Sequence, residues 1–181
     1  SVLGPEISSS RIVFVNGFMR PELSHIENLP TGVRIQSLGE SLSHDPEWVG
    51  AHLGSTASFE GRPLMALNTA MMNSGAVVHV QRGTVVEEPI QIIFIIGLTD
   101  EPVASYPRNL IVMEEASQAT LLELHVGMGV GAYFSNAVTE IDLGNAAVLG
   151  HYRVQSGNIE ATHLSTLDVQ ISGDATYDGF G

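Results

Sequence analysis

The sequence predicts a mainly β protein: a small α/β N-terminal region over residues 1–74, then a core of short strands over residues 75–181 that reads as a parallel β-helix, or β-solenoid. After Gly75 helix signals stop, and apolar runs follow one another, separated by Gly, Asn and Asp: AVVHV, GTVV, IQIIFII, NLIVM, ATLLELHV, NAVTEIDL, AAVLGHYRV, THLSTLDVQI and ATYDGF. Such a stretch of strand and turn suits a sandwich, a barrel or a solenoid. A weak repeat then favours stacking. Ala119, Ala147 and Ala175 recur at intervals of 28, as do Thr120, Val148 and Thr176, each after a small or polar turn and before an apolar strand. A small residue returning at one corner is what stacked coils need. On the residues alone, solenoid and sandwich stand level.

The elements follow in order. Residues 1–10 (SVLGPEISSS) are polar and turn-rich, an arm rather than an element. In RIVFVNGFMR (11–20) apolar residues flank Asn16-Gly17, a pair that accepts the positive φ of a type I′ hairpin turn. GVRIQSL (32–38) alternates as a short strand. Ser37 and Glu40 have capping-box spacing, and Asp45-Pro46-Glu47 reads as an N-cap followed by Pro at the first helical position. EWVGAHLG (47–54) is then a short helix closed by Gly54. RPLMALNTAMMNSG (62–75) repeats the pattern, with Leu64, Leu67, Met71 and Met72 as its apolar face and Gly75 as its stop. Trp48 and these methionines are expected in the core.

Composition excludes several functions. The net charge is −13, with 20 acidic residues against seven basic ones, all Arg. Such a chain repels phosphate backbones and anionic lipid, which argues against nucleic-acid and membrane-surface partners. Without Cys there are no disulfides, thiolate ligands or Cys nucleophiles. The most apolar stretch, IQIIFIIGL (90–98), is half of the roughly 18 residues that a membrane span needs. No secretory signal pattern opens the chain and no initiating Met is present, so a segment of a longer protein is expected.

Few residues suggest chemistry. Gly127, Gly129 and Gly131 resemble a phosphate loop, but strand-like sequence follows where a dinucleotide site needs a helix, so they read as a turn. The seven His residues are dispersed, without HxH or HxxxH spacing. A 28-residue period would stack Glu123 on His151 and Ser135 on His163, as solvated or hydrogen-bonded ladder pairs rather than a site that raises the His pKa or holds a metal. Glu87-Glu88 and Glu114-Glu115 are neighbours, so in a strand they point to opposite faces; turns suit them better than acid–base work. Gln155-Ser156-Gly157 lacks the strand-to-helix elbow of a nucleophilic Ser. No catalytic, cofactor-binding or metal residue is assigned.

Four ordered blocks carry a resemblance: RIVFVNGFMRPELS (11–24), LMALNTAMMNSGAVVHVQRGTVVEEPIQIIF (64–94), PRNLIVMEEASQATLLELHVG (107–127) and YFSNAVTEIDLGNAAVLGHYRVQ (133–155). Together they resemble the SufB/SufD family of iron–sulfur cluster assembly proteins, SufD more than SufB. One departure is Gln81, where the family often has Pro. The resemblance implies a right-handed parallel β-helix after a small helical region, and a non-catalytic scaffold working with a SufB-like paralogue and a SufC-like ATPase. It implies that the assembled complex handles an iron–sulfur cluster and a reduced flavin, neither placed on this segment. It also implies a cytoplasmic location, or the plastid stroma after removal of a transit peptide. Family members are roughly twice this length, so the core is expected to be truncated, with an open edge available for self-association. The rival expectation is a β-helix carbohydrate-active enzyme, recognisable by a groove of clustered carboxylates and exposed aromatics.

Overall fold

A computed structural model describes residues 10–181 except 28, 58–59, 98–100 and 130. The stretch read as an arm lies, up to residue 9, outside the described residues. The chain opens on the expected hairpin, β1 (Arg11–Val15) and β2 (Phe18–Met19), with Phe14 opposite Met19. Asn16 and Gly17 turn it at φ 49° and 86°. Next come β3 (Val33–Ser37) and three helices, α1 (Leu38–His44), α2 (Pro46–His52) and α3 (Pro63–Met71). The capping box is complete: the Ser37 hydroxyl accepts the Glu40 N–H while the Glu40 carboxylate accepts the Ser37 N–H. Asp45 caps α2 by accepting the Trp48 N–H.

The remaining strands are β4 (Ala76–Val80), β5 (Ile90–Gly97), β6 (Val103–Ser105), β7 (Arg108–Met113), β8 (Gln118–Met128), β9 (Tyr133–Leu143), β10 (Val148–Ser156), β11 (Thr162–Ile171) and β12 (Thr176–Phe180). They coil as a β-solenoid of about three turns, alternating between two sheets. β5, β8, β10 and β12 stack in parallel in one sheet, and β4, β7, β9 and β11 in the other. The first sheet is extended by β1, parallel to β5, with β2 outside it; the second by β3, antiparallel to β4. The expected strand at GTVV makes only a single bridge, Val85 to Gln118. Of the three spaced glycines, Gly127 lies in β8 and Gly129 and Gly131 fall between β8 and β9, so a strand follows them where a dinucleotide site needs a helix.

The 28-residue period holds only for the last coil. Leu121 lies opposite Ile90, Val148 opposite Gln118, and Thr176 opposite Val148, which are steps of 31, 30 and 28 residues. Ala147 and Ala175 do occupy equivalent corners, but Ala119 sits opposite Leu149, inside a strand. The corner that precedes Ala147 is Ser117. What recurs is a conformation. Four turns, starting at Gln81, Glu114, Gly144 and Ser172, are each closed by the fourth residue's N–H on the first residue's C=O. Their third residues, Gly83, Ala116, Ala146 and Asp174, all have φ between 56° and 69°. Successive turns are joined by hydrogen bonds such as Ala116 N–H to Asn145 C=O and Ala146 N–H to Gly173 C=O. Because only the first corner uses Gly at this position, composition does not announce the stack.

A left-handed Ala costs about 1–2 kcal/mol, and Gly gives back part of that through its looser unfolded state. The Ala146 side chain is exposed, so its methyl buries nothing. Ala146→Gly is therefore expected to raise stability by about 0.5–1 kcal/mol, read as a higher urea midpoint at constant slope. A lowered midpoint would mean that the corner tolerates Ala without strain.

Two helical expectations need correction. The helix α3 buries Met65 and Asn68, while Leu64, Leu67 and Met71 are exposed. It docks through polar groups: the Asn68 amide donates to the carbonyls of Pro107 and Asn136, and the Asn136 amide donates to Leu64 C=O. Gly75 does not stop α3, which ends at Met71. Its φ is 135°, and a Cβ there would collide with the Arg108 carbonyl, so Gly75 is needed for close backbone approach. Trp48 and Met72 are half-buried, packed on a cluster of Leu38, Val49, Val77, Leu110 and Val112.

The solenoid interior changes character along its axis. One inward-facing column runs Ile12, Ile92, Glu123, Arg153, and its neighbour runs Phe14, Phe94, His125, Gln155. The early coils are apolar, with the Phe14 and Phe94 rings stacked at 5.0 Å. On β8 these two columns become polar at Glu123 and His125, while Ala119 and Leu121 of the same strand stay in the apolar core.

Candidate functional site

The candidate site is this polar end of the interior. Glu123 and His151 are fully buried and His125 is 6% exposed. One oxygen of Glu123 lies 2.7 Å from His125 Nε2, and the other lies 3.1 Å from His151 Nε2. The Thr139 hydroxyl donates to the carboxylate at 3.1 Å, and the Asn109 amide donates at 3.4 Å. Burial alone raises the Glu123 pKa, but the hydrogen bonds and charge of His125 and His151 outweigh it and hold the group well below the usual carboxylate range.

Glu123 is thus an ionised acceptor, and each imidazole donates to it from the nitrogen that faces it. His151 Nδ1 then has the Tyr177 hydroxyl at 3.0 Å. His125 Nδ1 is buried and has no hydrogen-bond partner. The His125 ring lies between Phe94, stacked at 4.9 Å, and His163 at 4.6 Å. Burial pushes the His163 pKa down to about 4, with His125 and Arg153 adding to the shift against the opposing pull of Glu123. His125 and His163 open on a cleft of about 120 Å³, shared with Arg153, Gln155 and Ser165. Arg153 donates to the Ser165 hydroxyl at 2.7 Å.

Both expected ladder pairs are found, one of them by a different route. Ser135 and His163 are in register, but the Ser135 hydroxyl is buried without a hydrogen-bond partner, so this pair is stacked and not hydrogen-bonded. Glu123 is in register with Arg153, and His151 reaches it from two residues earlier on the same inward face. The pair is therefore a diagonal contact in a sealed interior.

A second buried network was not singled out from the sequence. Arg108 and Glu140 pair at 2.5 Å with 2% and 0% of their side chains exposed. Arg108 also donates to Asn68 and Thr69, while Glu140 accepts from Gly54 N–H, Ala57 N–H and the Thr56 hydroxyl. The signal was a charged residue opening the apolar run RNLIVM. At the outer edge, Arg34 lies 4.4 Å over the Trp48 ring and 3.4 Å from Asp45, beside a cleft of about 300 Å³.

The adjacent acid pairs offer no facing carboxylates. Glu87 and Glu88 are exposed, while Glu114 and Glu115 form a corner where His79 and Arg82 engage them. The carbohydrate-enzyme reading is accordingly not favoured. Among the described residues no three His, Asp or Glu side chains converge as a metal-binding set, and no helix is long and apolar enough to cross a membrane.

Comparison with known proteins gives a consistent result. The family model described as the SufBD protein N-terminal region matches residues 4–92. The model described as SUF system FeS cluster assembly, SufBD core domain, matches residues 94–181. The chain is 33% identical over 171 residues to an iron-sulfur cluster assembly SufBD family protein of Synechocystis sp., covering 90% of this chain and 37% of that protein. It is 24% identical over 183 residues to Protein ABCI7, chloroplastic, of Arabidopsis thaliana, covering 96% of this chain and 37% of that protein. A SufBD family protein of Trieres chinensis is 28% identical over 92 residues, 51% of this chain and 18% of its own length.

Proposed function

The chain belongs to the SufB/SufD family of iron–sulfur cluster assembly proteins, and from that premise we propose that it is part of a SufD-like, non-catalytic scaffold. The observation that carries the reading is the pair of family matches, which together run along the described solenoid in the order that the family has them. The scaffold acts through protein contacts with a SufB-like paralogue and a SufC-like ATPase. The iron–sulfur cluster and reduced flavin belong to the assembled complex. Location follows the family: the cytoplasm, or the plastid stroma, in keeping with the relative named as chloroplastic.

Affinity capture with matched SufB-like and SufC-like proteins tests this, using both the full gene product and residues 1–181. Retention of both partners by the full product is expected, with weak or no SufC-like binding by residues 1–181. A full product that engages neither partner would sink the scaffold reading. Tight binding of the ATPase by residues 1–181 would place its contact on these coils instead.

A further inference from the structure

We propose that the cleft between β3, α2 and the end of β4 binds a small zwitterion, an α-amino acid with an aliphatic side chain. The proposal goes beyond the scaffold reading and does not rest on it.

The cleft, about 300 Å³, is lined by the Arg34 guanidinium and the Asp45 carboxylate, with Val33, Trp48, His79 and Gln81 around them. The two strand ends that frame it are tied together, since Gln81 N–H donates to Gly32 C=O. Both charges are held in place by their neighbours. The guanidinium lies 4.4 Å over the Trp48 ring, which itself packs against His52 at 4.4 Å and His79 at 4.8 Å. Stacking of this kind fixes the plane of an Arg. Asp45 is fixed by accepting the Trp48 N–H on Oδ1 at 3.2 Å.

Held in this way, the two charges satisfy each other poorly. Arg34 Nη1 reaches Asp45 Oδ2 at 3.4 Å, well beyond the roughly 2.8 Å of a good charge-assisted hydrogen bond. Among the described residues this is the hydrogen bond that the guanidinium makes, and its Nε is buried without a partner. A group with several donors thus has one slack contact. The side chains are 29% and 43% exposed, so both charges can be reached from the cleft.

Charge decides the class of ligand. A lone anion would meet Asp45 and a lone cation would meet Arg34, and like charges side by side are costly. A ligand with both charges on neighbouring groups meets each wall charge with its opposite. In an α-amino acid the carboxylate accepts from Arg34 while the ammonium donates to Asp45. A cleft of about 300 Å³ is at the small end for ligand pockets, which suits a free amino acid. Val33 and the Trp48 ring supply an apolar wall for its side chain.

The test is calorimetric titration of the intact gene product with L-leucine, and with isocaproate and isoamylamine, which lack its ammonium and its carboxylate respectively. Leucine is expected to bind at millimolar concentration or below. Each analogue is expected to bind at least about tenfold more weakly, the worth of one hydrogen bond to a charged group. Asp45→Asn keeps an oxygen to cap α2, so its melting temperature is expected to stay close to wild type. The same variant is expected to lose at least about tenfold in affinity for leucine, yet to bind isocaproate no worse than the wild type does. A purely structural Asp45 would leave that preference unmoved. No leucine bound by the wild type at millimolar concentration, equal affinity for isocaproate, or an unchanged leucine isotherm for Asp45→Asn would each overturn the assignment.

Discussion

Replacing Arg108 with Met is expected to cost about 3–5 kcal/mol of stability, measured by urea or thermal unfolding, because it strands Glu140 as an unpaired buried carboxylate. Glu140 is fully buried, and Arg108 is the cation that pairs with it. The other groups around the carboxylate are neutral donors from residues 54–57. Those donors belong to the connection between α2 and α3, and Arg108 itself bonds Asn68 and Thr69 on α3. One ion pair therefore fastens the helical region to the solenoid. Proteolysis between α2 and α3 is expected to accelerate in the same variant, since local opening of that connection needs Glu140 to release its donors. A loss below about 1 kcal/mol would show that the site is wetter than its burial indicates.

Glu123→Leu is the second large effect, expected at about 3 kcal/mol or more, because His125, His151 and Thr139 lose their acceptor inside the solenoid. Glu123→Gln should cost less, since one amide oxygen still accepts. The pH dependence has a definite sign. The folded-state pKa of Glu123 lies below its ordinary value of 4.5, so the stability it contributes is fully present above pH 4.5 and drains away as the pH falls further. The Gln variant should therefore converge on wild type in acid. Parallel stability curves for the two proteins from pH 6 to pH 3 would show that Glu123 does not titrate in this way. Other carboxylates contribute to acid unfolding of both proteins, so only the difference between them reports on Glu123.

These two networks were unequally visible beforehand. The Glu123–His151 contact was expected from a 28-residue period, and the contact exists although the step between β8 and β10 is 30. It survives because side chains two residues apart on one strand share a face, so an even error in register leaves inward residues inward. The Arg108–Glu140 pair had no such clue, since its partners come from residues 32 apart and from a helical segment far earlier in the chain. The polar docking of α3 was hidden for a similar reason. Apolar spacing selected Leu64, Leu67 and Met71 as the buried face, whereas Asn68 meets carbonyls that only the folded solenoid brings to it.

What the sequence determined by itself is local: the Asn16-Gly17 hairpin, the Ser37–Glu40 capping box, the Asp45 cap, and the succession of short strands after Gly75. Each depends on backbone preferences and hydrogen bonds within a few residues. The tertiary structure alone decided the coil lengths, the left-handed corners at Ala116, Ala146 and Asp174, and the pairing of β1 with β5 across 80 residues. It also decided that His125 joins the Glu123–His151 contact and that Thr139 and Asn109 complete it. Stacking sets all of these, because a ladder hydrogen bond constrains the facing residue in the next coil whatever the intervening loop contains.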